Sequence, residues 1–248
     1  MSQPAALVLV HGVGLDCSMW DLVVDDLAAD RQVIRYDLLG HASSPDTPGD
    51  RKLGDFVAQL IDVLDHHGVG EVDLLGLSLG GLIALQSALD HPTRINRLML
   101  CNTVHGRTDS QRAGAMQRLA LTEQDGMAPV ADLAIDRWFT RDWQAANPDR
   151  VEAVRTRLST ADPAGYVKAY RLFVETDIAT ADIARITAPT LVLTGELDVG
   201  STPAMTDALA TAIPNATAQV LPGLHHVPPI EAPPAFVDAV RAFLEESP

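Results

Sequence analysis

The chain has 248 residues, and 33 aspartates and glutamates outnumber 18 lysines and arginines to give a formal charge of −15 at pH 7. That balance argues against nucleic acid, whose phosphates demand clustered lysine and arginine, and against an anionic membrane surface. Apolar residues make up 47 % and aromatics only 4 %, so the core is expected to consist of Ala, Val, Leu and Ile, ample for one domain of this length.

The only cysteines are Cys17 and Cys101. No metal-ligand spacing surrounds them, so two buried thiols in a reducing compartment, and no metal, are expected. The N-terminus lacks the basic region of a leader peptide. The longest apolar stretch, 74–89, is interrupted by Ser78, three glycines, Gln86 and Ser87, and is too short and mixed to cross a bilayer. A cytoplasmic protein is the expectation.

Short apolar runs alternate with amphipathic stretches, the pattern of a parallel sheet covered by helices. Residues 5–10 read as a fully buried strand. A helix over 18–29 would place Trp20, Val23, Val24 and Leu27 on one face. Residues 33–36 are the next strand, and a loop rich in Gly, Ser, Pro and Asp runs to Asp50. Helical spacing returns at Leu53, Phe56, Val57, Leu60, Ile61 and Leu64 and stops at Gly68. A strand over 72–75 turns at Gly76 into a helix from near Leu79, and 98–101 is another strand.

From Thr103 to about Ile186 the alternation breaks. That stretch shows only helical segments, separated by Pro129, Pro148 and Pro163, and carries Trp138, Trp143, Tyr166, Tyr170 and Phe173. The rhythm resumes with a strand at 190–194, a helix from Pro203, a strand at 218–221 and a last helix with Phe236, Val237, Val240, Phe243 and Leu244 on one face. The expected architecture is one α/β domain formed by 1–102 and 187–248, with 103–186 as a helical cap over the strand ends.

Gly76-Leu77-Ser78-Leu79-Gly80 fits G-x-S-x-G. The pattern is short enough to arise by chance, but a strand before it and a helix after it supply the context it needs. Such a turn holds the serine hydroxyl proud of the carboxyl end of the sheet, where open α/β sheets bind ligands. Serine becomes a nucleophile only when a base takes its proton and an acid orients that base. On this fold the order is Ser, then Asp or Glu, then His, each after a later strand. Gly195-Glu196-Leu197-Asp198 follows one late strand and Gly223-Leu224-His225-His226 the next. The residues themselves leave Glu196 beside Asp198 as acid, and His225 beside His226 as base. Oxyanion donors are expected from Leu79 N–H, at the head of a helix, and from Val13 N–H in His11-Gly12-Val13-Gly14. His11 reads as a residue that shapes that loop.

With these residues located, the chain resembles the α/β-hydrolase superfamily over nearly its whole length. The matching features are His11-Gly12, Asp37-Leu38-Leu39-Gly40-His41, the serine elbow, Gly195-x-x-Asp198, and His226 followed five residues later by Glu231. The resemblance implies Ser78, Asp198 and His226 as the catalytic triad. Within the superfamily the chain is most similar to 3-oxoadipate enol-lactonases, through Arg35-Tyr36-Asp37, Leu100-Cys101-Asn102-Thr103, Arg137-Trp138-Phe139-Thr140 and Gly165-Tyr166. It thereby implies hydrolysis of a small anionic ester or lactone without a cofactor, with Trp138 lining the substrate pocket. A substrate anion would need a cation, for which Arg137, Arg141 and Arg171 are candidates.

Three features depart from those relatives. They carry a β-hairpin before the first strand seen here, so about six mostly parallel strands without that hairpin are expected. Ala42 stands for a common glycine and Leu39 for a common arginine, which leaves the substrate open. The same triad also serves perhydrolases and acyltransferases, and a ligand receptor on a hydrolase fold is the alternative from another class. An aspartate nucleophile is excluded at position 78.

Overall fold

A computed structural model describes residues 4–245. Six strands, all parallel, form one sheet in the order β2-β1-β3-β4-β5-β6: β1 (Ala6–Val10), β2 (Val33–Arg35), β3 (Val72–Leu77), β4 (Ile95–Cys101), β5 (Thr190–Gly195) and β6 (Ala216–Leu221). Apolar residues fill both faces of the central strands, as a sheet covered on both sides requires. Along β1, Ala6, Val8 and Val10 join one core cluster, while Leu7 and Leu9 join the other.

The first face is covered by α2 (Leu53–His66), α3 (Leu79–Asp90) and α10 (Pro203–Ala212), whose Phe56, Leu60, Leu82, Ile83 and Leu209 are fully buried in that cluster. The opposite face is covered by α1 (Val24–Leu27) and α12 (Pro233–Glu245), through Leu27, Phe236, Val240 and Phe243. Burial of this kind contributes about 1.5–3 kcal/mol per large apolar side chain.

Three expectations shift locally. The helix expected over 18–29 is a 3₁₀ turn (Cys17–Trp20) followed only by the short α1. Asp16 accepts Ser18 N–H at 2.8 Å and tightens that turn, yet Trp20, Val23 and Leu27 still reach the core. The turn expected at Gly76 falls at Ser78, because Gly76 and Leu77 continue the ladder opposite Leu100 and Cys101. Of the two thiols expected to be buried, Cys101 is and Cys17 is only half-buried.

Between β4 and β5 lie α4 (Asp109–Asp125), α5 (Met127–Trp138), α6 (Arg141–Ala146), α7 (Pro148–Ser159), α8 (Pro163–Glu175) and α9 (Thr180–Ile183). Helix α4 packs on α8, and α5 on α7. This helical segment meets the sheet layer where Gly165 and Gly40 bring two backbones together. Lys168 Nζ seals the contact on Asp46 Oδ2 at 2.6 Å. No helix among the described residues is long and apolar enough to cross a membrane. The remaining short helix, α11 (Pro228–Glu231), follows β6.

Strand order reverses at β1 and β3, because β2 lies to one side of β1 and the later strands to the other. The loops after β1 and β3 therefore diverge and leave a crevice at their carboxyl ends. Ser78 and the His11–Gly14 turn stand on its two sides. Their closeness depends on glycine, since a Cβ on Gly80 would fall on Val10 O and one on Gly76 on Gly80 O. Gly80→Ala is expected to destabilise the fold by about 3 kcal/mol. Gly54→Ala, in a helix with nothing within 4 Å, should be neutral or slightly stabilising; thermal melts of the two variants check this.

Candidate active site

Ser78 has φ 58° and ψ −113°, a strained conformation for a residue with a side chain. It is held there from several sides. Its N–H donates to Cys101 O at 2.9 Å, and its carbonyl accepts Thr103 Oγ1–H at 2.8 Å and Gly81 N–H at 3.0 Å. Leu79, fully buried, opens α3 immediately after it. A Cβ on Gly12 would lie 3.1 Å from Ser78 Cβ, so the loop after β1 abuts the serine.

His11 shapes that loop from within. Its Nδ1–H donates to Gly12 O at 2.8 Å and its Nε2 accepts Leu38 N–H at 2.9 Å. Burial, reinforced by the neighbouring His41 imidazole, lowers its pKa to about 3. The ring is neutral, as an acceptor at Nε2 must be.

After β5, the buried Asp198 carboxylate collects four donors. Gly200 N–H at 2.7 Å and Ser201 N–H at 3.1 Å reach Oδ1, while Asn102 Nδ2 at 2.8 Å and His226 Nδ1 at 2.6 Å reach Oδ2. Burial pushes this carboxyl up, but the His226 charge and the hydrogen bonds from His226, Asn102 and Ser201 prevail and hold it below the usual carboxylate range. An ionised Asp198 can only accept, so His226 bears a proton on Nδ1, and in the uncharged ring that leaves the lone pair on Nε2.

The alternatives left open by the sequence separate in space. Glu196 Oε2 accepts Gly223 N–H at 2.8 Å at the exposed end of its loop. The His225 ring donates to Arg137 O at 3.0 Å, facing the helical segment. That segment also takes His226 N–H on Trp138 O at 3.2 Å, and the Trp138 ring stacks on the His226 ring, 6.2 Å between centroids. Buried Glu231 completes the joint by accepting Thr140 N–H and His225 N–H, both at 2.7 Å.

Ser78, His226, Val13 and Trp138 all line one cavity of about 320 Å³ under the helical segment, a volume suited to a small organic molecule. Arg107, Arg118 and Arg137 stand in its wall, and among the described residues no aspartate or glutamate does. Of the three cations expected from sequence, Arg137 alone reaches the cavity. Arg141 is exposed at the start of α6, and Arg171 pairs with Glu123.

The alpha/beta hydrolase family model matches residues 7–239. The chain belongs to that family. It is 32 % identical over 243 residues to an (E)-2-((N-methylformamido)methylene)succinate hydrolase of Acinetobacter baylyi, covering 98 % of this chain and 91 % of that protein. To 3-oxoadipate enol-lactonase 2 of the same organism it is 30 % identical over 240 residues, covering 97 % and 88 %. A solved enol-lactonase from Burkholderia xenovorans superposes with a TM-score of 0.91 at 30 % identity, covering 99 % of this chain and 93 % of the other. The chain is thus a hydrolase with the α/β-hydrolase fold.

Sequence reasoning gave no role to Asn102, Arg107, Arg118 or Ser201. Asn102 was the most accessible of these, a polar residue at the carboxyl end of a central strand, where such folds place their chemistry. Its φ of 46° is a left-handed conformation that asparagine tolerates better than most residues. Asn102→Asp would put two carboxylates at hydrogen-bond distance in a buried site and raise at least one pKa above its unfolded value. The folded variant then binds more protons than the unfolded chain, so its stability falls as pH rises through the carboxylate range. Urea midpoints at pH 5 and pH 8 should show Asn102→Asp weakening at the higher pH, whereas the parent, with Asp198 depressed, does not.

Proposed function

We propose that this hydrolase cleaves a small carboxylic ester or lactone through an acyl-enzyme on Ser78. The observation that carries the reading is the 2.6 Å bond from His226 Nδ1 to Asp198, in a ring that shares its cavity with Ser78. His226 Nε2 takes the Ser78 proton as Oγ attacks the acyl carbonyl, and Asp198 stabilises the imidazolium that forms. The tetrahedral oxyanion is received by Leu79 N–H, at the positive end of α3, and by Val13 N–H across the crevice. His226 returns its proton to the departing oxygen, then activates water to release the acid. None of these steps calls for a metal or organic cofactor.

Residues 103–186 act as the cap over this site, and Trp138 contributes an apolar wall beside His226. The hydrogen bonds of Arg137 O and Trp138 O to the histidine loop support that role. The names of the enol-lactonase relatives favour a lactone as the natural ester, and strain at Ser78 supports attack rather than mere binding.

A fluorophosphonate should modify Ser78, located by peptide mapping. Ser78→Ala should lower kcat on p-nitrophenyl esters and small lactones by at least about 10³-fold with an unchanged melting temperature. Labelling of another residue alone, or near-parental turnover by Ser78→Ala, contradicts the proposal.

A further inference from the structure

In a protein of formal charge −15, a cavity walled by three arginines and, among the described residues, by no carboxylate goes against the overall balance. The three cations are not equivalent. Arg107 is committed to the fold: it donates to Val174 O at 2.8 Å and Phe173 O at 2.6 Å, with its guanidinium 4.6 Å above the Phe173 ring. Those carbonyls close the end of α8, where a positive charge is favoured, and Asp177 is near enough to act on it.

Arg118 and Arg137 have no such compensation. Arg118 Nε donates to the hydroxyl of Tyr170 at 2.9 Å, a neutral partner. The Arg137 guanidinium has no hydrogen-bond or ion-pair partner among the described residues, and its Nη2 lies 2.8 Å from where a Cβ on Gly200 would be. Asp198 attracts it through space, but that carboxylate is already bound by four donors. Burial and the nearby Arg118 both disfavour the Arg137 charge. Two like charges in one partly desolvated wall are unfavourable unless anions join them. Beside Gly200 in the same wall, the buried hydroxyl of Ser201 has no partner, although buried hydroxyls are ordinarily satisfied.

We infer that the cavity selects an ester or lactone that carries two carboxylates besides its scissile carbonyl, one held by Arg137 with the Ser201 hydroxyl and the other by Arg118. The inference rests on the ester-or-lactone reading for the bond that is cut, and adds the charge of the molecule that contains it. A monoanion would neutralise one guanidinium and leave the other without an anionic partner. A planar guanidinium matches a carboxylate in two-point geometry, which lysine could not supply.

The test is calorimetric titration of the Ser78→Ala protein with the trimethyl, dimethyl and monomethyl esters of tricarballylate, which carry zero, one and two carboxylates around the same skeleton. Each added carboxylate should tighten binding at least about tenfold, against the repulsion expected from the protein's net charge. Arg118→Gln and Arg137→Gln should each weaken the monomethyl ester about tenfold and the trimethyl ester much less, with parental melting temperatures showing that the variants have folded. Equal or undetectable affinity for the three esters, or a monomethyl ester indifferent to both substitutions, overturns the inference. Tight binding of the monomethyl ester to a wild type that cleaves no ester would instead overturn the hydrolytic reading and leave this recognition standing.

Discussion

The carboxylate of Asp198 is the charge around which the strand ends are organised. Alone at that depth it would destabilise the fold by several kcal/mol, and each of its four donors comes from a segment that must be correctly placed. Asn102 stands at the end of β4, Gly200 and Ser201 in the turn after β5, and His226 in the loop after β6. One buried charge thus ties three strand ends together. It also fixes a proton on the imidazole Nδ1, which in the proposed reaction leaves Nε2 to act as the base.

The same loop carries the second constraint. His225 and His226 are fastened to the end of α5 by Arg137 O, Trp138 O and the Glu231 bridge to Thr140. Arg137 and Trp138 are also the residues that this end of α5 presents to the cavity. In the proposed reaction the base and the substrate-recognising wall therefore share one support, and displacement of α5 would disturb both. Across the crevice, Ser78 and the His11–Gly14 loop are locked separately by backbone hydrogen bonds and by the absence of side chains at Gly76 and Gly80. The site forms where these two rigid halves meet.

Much of this was legible in the sequence because it is written locally. Buried strands declare themselves as unbroken apolar runs, and the turn at Ser78 as glycines between a strand and a helix. The order of Ser78, Asp198 and His226 follows from the order of strands. The region 18–29 misled because its apolar spacing suits a helix, while Asp16 turns the chain at its start. Asn102 and Arg118 stayed silent for another reason. Asn102 meets Asp198 across 96 positions of chain, and Arg118 acquires its meaning only when α4 packs beside α8 and sets it against Tyr170. Neither contact leaves a periodic trace.

The proposed chemistry depends on the proton that His226 Nδ1 shares with Asp198. Proton NMR of the folded protein in water should show one strongly downfield imidazole N–H resonance. It should disappear in His226→Gln and shift upfield in Asp198→Asn, yet persist in His225→Gln. A downfield resonance that survives His226→Gln in folded protein, or that follows His225 instead, would contradict a His226–Asp198 pair as the base.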